Sequence, residues 1–285
     1  MKKVIDIIKE DTRRLLKDFT EPKLPSILKF YEILVEMHET SISKNKREIY
    51  YQSVKIFKNQ RCIDRLVDRM AQKFCLSASD LLITASLKGL IHGNIIFKQG
   101  GADLVRPNLI PDQKGVTEII TPCSKIVVIE KDSLFSLICQ QTAKHAILQN
   151  VLFVCGKGYP DNNTMYFLKR MEGKVEIFGL FDYDPFGMHI YCVYKYGSKK
   201  NTGVLSMQRI GMCSDDVFKY KIDENELLKL NVHDYKKLES LVKFDDDMLH
   251  RDIQFLKNVD RKMEMEIFTG RGSSFIMTYL CDKIF

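Results

Sequence analysis

Apolar residues recur at three- and four-residue intervals through the first ninety positions, then gather into short β-branched runs separated by new helical stretches. Val4, Ile7, Ile8 and Leu15 share one face of a helix predicted over the first 19 residues. A second helix is expected over Leu24–His38, with Pro25 in the first turn, where a missing N–H costs nothing. Thr40–Lys46 is polar and reads as loop. Arg47–Phe57 reads as a helix presenting Ile49, Val54 and Ile56 or Phe57 inward. Cys62–Phe74 reads as another, burying Ile63, Leu66, Val67 and Met70. Ser77–Gly89 carries the marks of a further helix: Ser77 or Ser79 as cap, Asp80 three residues after Ser77, and a glycine stop.

Ile95–Phe97 and the Gly100-Gly101 pair predict a small hairpin. Short helices followed by such a hairpin resemble a winged helix-turn-helix, a fold that commonly lays one helix in a DNA groove. The polar, proline-bearing stretch 107–122 reads as a domain boundary, giving an N-terminal domain over 1–112 and a second over 120–285. Beyond it, strands at Lys125–Ile129, at the end of Ala146–Cys155 and at Val175–Phe181 alternate with helices at Ser133–Gln141, within Gly158–Arg170 and at Met188–Lys195. That alternation predicts an α/β layer fold with a largely parallel sheet, whose active groups gather beyond the carboxyl ends of the strands. In the last third, helices are expected at Asn225–Leu230, Tyr235–Leu241, Asp245–Phe255 and Asp260–Glu266.

The 285 residues are 45% hydrophobic, enough for a substantial core and too many for a disordered chain. Apolar runs are short and broken by charge, so no membrane span is expected, and the N-terminus does not read as a secretory signal. Eight cysteines lie scattered without a CxxC, which argues against structural zinc and a disulfide scaffold and for a reducing compartment. The net charge of +7 sits almost wholly in the first 120 residues. Such a surface suits a polyanionic partner.

The chemistry-bearing residues concentrate in a few places. Asp182 and Asp184, in VEIFGLFDYDPF, are two apart at a strand end, so on extended backbone both carboxylates face one side. Glu130 directly follows the strand KIVVIE. If these strands are neighbours, three carboxylates converge at one sheet edge, a donor set suited to Mg²⁺ beside a phosphodiester. Gly187 lets the backbone turn close to a ligand there. Tyr50 and Tyr51 lie in a segment, 44–61, with six Lys and Arg and one acid. A tyrosine can attack phosphorus, but an ordinary phenol with a pKa of about 10 needs an activator. Arg47 shares a helix face with both, so spacing alone does not choose between them. GKGYPD at 156–161 lacks a full phosphate-binding loop and reads as a tight turn with one phosphate-facing lysine, Lys157. His189 reads as part of a helix start, and Asp245–Asp247 as a solvated one.

These residues, taken together, resemble a known family: the DNA-cleaving A subunit of type IIB topoisomerases and the related meiotic double-strand-break transesterase. The blocks are REIYYQSVKIF at 47–57, SDLLITASLKGLIHGN at 79–94, IEKDSLF at 129–135, GKGYPD at 156–161, GLFDYDPFGMHIYCVYKYGSK at 179–199 and DRKMEMEIF at 260–268. The resemblance implies a winged-helix domain carrying the nucleophile and a Toprim domain carrying Mg²⁺. It assigns the nucleophile to Tyr51 with Tyr50 in support, the catalytic arginine to Arg47, a catalytic and metal-binding role to Glu130, and the other metal positions to Asp182 and Asp184. Tyr183 stands where relatives often hold a small residue. Expected phosphate contacts are Lys46, Lys55, Lys58, Lys88 and Lys157. The implied assembly is a two-fold dimer on duplex DNA, with a GHKL-type B subunit, meiotic accessory proteins and a nuclear location. The competing readings are a strand-passing topoisomerase and a non-catalytic DNA-binding scaffold.

Overall fold

A computed structural model describes residues 2–17, 21–84, 87–198 and 201–285. The chain divides into two compact units, Met1–Ser86 and Leu87–Phe285.

The first unit is built from helices α1 (Lys2–Leu15), α2 (Leu24–Thr40), α3 (Lys46–Tyr51), α4 (Val54–Phe57) and α5 (Gln60–Phe74). Two short strands, β1 (Lys44–Asn45) and β2 (Ile83–Thr84), pair in parallel. Positions 18 and 19 of the first expected helix lie outside the described residues. The core joins Phe30, Leu34 and Met37 of α2 to Ile49, Phe57 and the predicted face of α5, where Ile63, Leu66, Val67 and Met70 are all buried. The helix expected over Arg47–Phe57 is instead two helices broken at Gln52–Ser53. Ile49 and Phe57 point inward as expected, while Val54 and Ile56 are exposed, because the break rotates the second turn. No helix forms over Ser77–Thr84. The capping interactions between Ser77 and Asp80 are made, but Leu82 turns into the left-handed region and the chain leaves as β2 along β1. Residues 85 and 86 lie outside the described set.

The second unit contains β3 (Leu90–His92), β4 (Ile96–Gln99), β5 (Ala102–Val105), β6 (Val116–Ile120), β7 (Lys125–Ile129), α6 (Asp132–Thr142), β8 (Val151–Cys155), α7 (Asn162–Met171), β9 (Glu176–Leu180), α8 (Pro185–Tyr196), the β10–β11 hairpin (Gly197–Ser198 and Asn201–Thr202), β12 (Gln208–Gly211), α9 (Ser214–Lys219), β13 (Leu228–Lys229), α10 (Val232–Leu241), α11 (Asp247–Val259), β14 (Arg261–Lys262), α12 (Ile267–Gly270) and α13 (Ser273–Ile284). The main sheet has the order β12-β9-β7-β8-β3, parallel except for β3 at one edge. All five residues of β8 are buried, as are Ile126–Ile129 of β7, the pattern of strands covered on both faces. Helices α6 and α13 pack together against β7, β8 and β12.

The expected hairpin forms. Gln99 pairs with Ala102 across Gly100 and Gly101, both with φ in the left-handed region that a two-residue turn requires. Within the stretch read as a boundary, Val116–Ile120 pairs with β4 as a third strand. The segment from Leu87 belongs to the second compact unit because β3 completes its sheet along β8.

Two helices expected near the C-terminus are not present. Asn225–Leu230 holds one 3₁₀ turn and then β13, and Asp260–Glu266 starts as β14, antiparallel to it. In MEME, 263–266, Met263 and Met265 are each 1% exposed and the glutamates face outward, the period-two pattern of extended chain. Asp246 caps α11 through Leu249 N–H, but it also accepts hydrogen bonds from Tyr191, Lys195 and Tyr196, so this helix start is a packed one.

Candidate functional site

The tyrosines sit at the end of α3, which a capping box sets in place. Asn45 Oδ1 accepts from the N–H groups of Arg47 and Glu48, and Glu48 returns a bond to Asn45 N–H at 2.6 Å. This fixes the helix phase and so separates the two neighbours. Tyr50 packs on the first unit's core, with its hydroxyl directed at the Lys58 carbonyl. Tyr51 is 60% exposed. One turn earlier, Arg47 holds its guanidinium 5.7 Å from the Tyr51 ring centroid, within cation–π range. Exposure separates what spacing left equal: the Tyr51 ring is open to solvent, while Tyr50 is partly buried against the core.

Register places the acidic residues of the second unit. Ile129 of β7 pairs with Leu180 of β9, so Glu130 and Asp182 leave the sheet side by side at its carboxyl edge. Asp182 N–H donates to Glu130 Oε2 at 2.9 Å. Asp182 Oδ1 accepts from Met265 N–H at 2.8 Å, and Oδ2 lies 2.9 Å from Lys131 Nζ. Asp184 caps α8 by accepting from Gly187 N–H at 2.6 Å. Tyr183, 1% exposed between them, donates to Asp252, and its backbone pairs with Met263. Asp252 in turn pairs with buried Arg209.

The strands are neighbours as expected, but the three carboxylates turn to protein donors. Among the described residues no group of three or more His, Cys, Asp and Glu side chains is arranged to hold a metal ion. Burial makes these carboxylates costly to leave charged and alone. Burial, reinforced by the Asp182 carboxylate, raises the pKa of Glu130. Burial likewise raises Asp182, against the opposing pull of Met265 N–H and Lys131, and raises Asp184 against that of Gly187 N–H. Two buried carboxylates and a half-buried third are oxygen donors that fit a hard divalent ion in kind, and Glu130, Asp182 and Asp184 are the residues that would hold it.

The lysines expected to meet phosphate are unequal. Lys55 and Lys58 are exposed, on and just after α4. Lys46 pairs with Asp64 at 2.7 Å. Lys88 donates to the carbonyls of Tyr159 and Lys157, which ties it to the 156–161 turn. Lys157 is exposed, 3.8 Å from Asp132. At the same turn Tyr159 hydroxyl and His189 Nδ1 are 2.6 Å apart. Sequence reasoning missed Lys131, Glu264 and Glu266 around Asp182. The E-M-E alternation was the available signal, once read as strand rather than helix.

Comparison with known proteins agrees with this architecture. Residues 125–284 match the Toprim domain family of the topoisomerase 6 A-subunit/Spo11 proteins, and residues 22–83 match Type IIB DNA topoisomerase. The fold is thus a winged-helix domain followed by a Toprim domain. Over 263 residues the chain is 40% identical to the probable meiosis-specific protein SPO11 homolog of Encephalitozoon cuniculi, spanning 89% of this chain and 86% of that protein. It is 30% identical over 277 residues to meiotic recombination protein rec12 of Schizosaccharomyces pombe, spanning 90% and 78%. A more distant relative, the A3 subunit of DNA topoisomerase 6 from Oryza sativa subsp. indica, is 24% identical over 296 residues, spanning 96% and 66%. The chain belongs to the topoisomerase 6 A-subunit/Spo11 family. Among the described residues no helix is long and apolar enough to cross a membrane.

Proposed function

We propose that this chain breaks duplex DNA in meiosis by tyrosine transesterification, with Tyr51 as nucleophile. The observation that carries the reading is the exposed Tyr51 ring within cation–π range of the Arg47 guanidinium, beside a Tyr50 partly buried against the core. The Tyr51 oxygen gives up its proton and attacks a backbone phosphorus. The P–O3′ bond breaks, the 3′ oxygen takes up a proton, and a 5′-phosphotyrosyl link remains. Arg47 offsets charge on the transferring phosphoryl group. One phosphoester replaces another, so cleavage itself needs no nucleotide hydrolysis.

Glu130, Asp182 and Asp184 are the proposed Mg²⁺ ligands. Bound there, the ion would neutralise phosphate charge and orient the scissile backbone. Lys55, Lys58 and Lys157 are the proposed phosphate contacts best placed by exposure, with Lys46 and Lys88 available only at the expense of present partners. Backbone contacts of this kind bind without reading sequence.

One tyrosine cuts one strand, so a double-strand break takes two copies around a two-fold axis. In the proposed dimer the Tyr51 of one protomer works with the carboxylates of its partner. A Tyr51→Phe chain mixed with a Glu130→Ala chain should then nick DNA, because one composite site stays whole. Absence of nicking from well-folded mixed dimers would contradict this arrangement. Meiotic accessory proteins and a GHKL-type B subunit are the proposed assembly partners, and the nucleus the proposed location.

The test is to incubate the chain with Mg²⁺, a B-type partner and supercoiled plasmid, then trap protein–DNA adducts. Adducts should form and vanish with Tyr51→Phe. The similarity to a plant topoisomerase 6 protein supports a second reading, strand passage. ATP-dependent relaxation in the same assay would favour it.

A further inference from the structure

Lys131, the residue after Glu130, belongs to no part of the chemistry above. Its ammonium sits among three carboxylates: Asp182 at 2.9 Å, Glu266 at 2.5 Å and Glu264 at 3.1 Å. The three differ in surroundings. The Asp182 side chain is 4% exposed, whereas Glu264 and Glu266 are 44% and 41% exposed. One partner therefore lies in the buried carboxylate group and two stand at its solvent side. The peptide carrying the two glutamates is fixed to the same aspartate, since Met265 N–H donates to Asp182 Oδ1 and Met263 pairs with the backbone of Tyr183.

A buried carboxylate needs a counter-charge, and in the free chain Lys131 supplies it. An incoming divalent ion must take the same oxygen, and an ammonium left at 2.9 Å would repel it. Glu264 and Glu266 already hold the same ammonium, so it can give up Asp182 without being left unpaired.

We infer that Lys131 is a resident counter-ion of the carboxylate site, exchanged for a divalent cation by giving up Asp182 while Glu264 and Glu266, which it already contacts, retain it. The inference rests on the proposed reading of Glu130, Asp182 and Asp184 as the cation site. It makes Lys131 a residue that sets cation affinity, offsetting the Asp182 charge when no ion is bound. Affinity is then tuned by the balance between one buried and two exposed partners.

The test is isothermal titration of Mg²⁺ and Mn²⁺ into the full chain, without DNA, after circular dichroism has established folding of each variant. Lys131→Gln should bind either ion at least fivefold more tightly than the wild type, because nothing positive has to be displaced. The Glu264→Gln/Glu266→Gln double variant keeps Lys131 but removes the partners that would retain it once Asp182 is given up, and should bind at least threefold more weakly. It carries the test alone if Lys131→Gln does not fold. Asp182→Asn should abolish binding. Lost binding in Asp182→Asn together with unchanged or weaker binding in Lys131→Gln, or unchanged affinity in the double variant, would overturn the counter-ion role while leaving the cation site standing. Equal isotherms for wild type and Asp182→Asn, or no binding by any variant, would overturn the cation site and the exchange with it.

Discussion

Asp252→Ala should be among the most damaging single substitutions outside the site itself. The Arg209 and Asp252 side chains are each 2% exposed. Asp252 also accepts from Tyr183 hydroxyl and Ser214 N–H, both at 3.0 Å. Arg209 has little else: its Nη1 finds no hydrogen-bond partner, and the Tyr191 ring lies 5.7 Å from Cζ. Removing one member of a buried pair costs about 3–5 kcal/mol, because the other charge stays buried and uncompensated. Tyr183 and Ser214 each lose a hydrogen bond, on the order of 1 kcal/mol apiece. At about 2–4 °C per kcal/mol for a chain approaching this size, the melting temperature should fall by roughly 10 °C or more. Tyr183→Phe, which deletes one hydrogen bond and leaves the pair, should cost only about 1 kcal/mol. The double replacement Arg209→Met/Asp252→Leu removes both charges and should recover most of the loss, since an apolar substitute for a buried pair is often close to neutral. Thermal and urea melts followed by circular dichroism measure all three. An Asp252→Ala protein melting within about 2 °C of wild type would refute the reasoning, as would a double variant no better than the single one.

Three further expectations concern separate parts of the molecule. Asp11 is 4% exposed and accepts from Lys73 at 2.5 Å and Tyr31 hydroxyl at 2.7 Å; burial works to raise its pKa, but those hydrogen bonds and the Lys73 and Arg14 charges carry it below the ordinary value. A depressed folded-state pKa contributes stability that is present above the unfolded value, about 3.9, and is lost as the pH falls through the folded one; acid melts of Asp11→Asn should lack that component, and an unchanged acid slope would contradict it. Gly187→Ala places a Cβ 2.5 Å from the Asp182 carbonyl oxygen, so the turn must shift, with a loss of about 1–3 kcal/mol in melts and weakened Mg²⁺ binding by titration. Lys55→Ala and Lys58→Ala should weaken binding to all duplexes about equally and each lower the salt slope by about one, as fluorescence anisotropy across a salt series would show; a large effect confined to one sequence would exclude backbone contact.

Much of this architecture is legible in the chain because local and long-range demands coincide. KIVVI at 125–129 and VLFVC at 151–155 are β-branched and apolar almost throughout, which suits strands covered on both sides, and they are. The α5 stripe of Ile63, Leu66, Val67 and Met70 works the same way. The failures have distinct physical causes. Ser77 and Asp80 make a sound capping interaction, yet β1 competes for the chain that follows and a helix loses to strand pairing. Asp260–Glu266 has charges at helical spacing, but Met263 and Met265 are drawn into the core on alternate positions. In the site, the acidic positions follow from strand ends and the resemblance. The partners that occupy them do not, because Lys131, Met265 and Asp252 reach the Asp182–Asp184 turn from separate elements. Tyr50 and Tyr51 could not be told apart by spacing, and only the packed helix shows which ring faces solvent.

The central claim is that Tyr51, and not its neighbour, becomes joined to DNA. Adducts trapped on plasmid, digested with nuclease and protease, leave a nucleotide remnant on a single peptide that fragmentation mass spectrometry can read. The remnant should lie on Tyr51, with Tyr50→Phe still forming adducts and Tyr51→Phe forming none. A remnant on Tyr50, or adducts that survive Tyr51→Phe, would contradict the account.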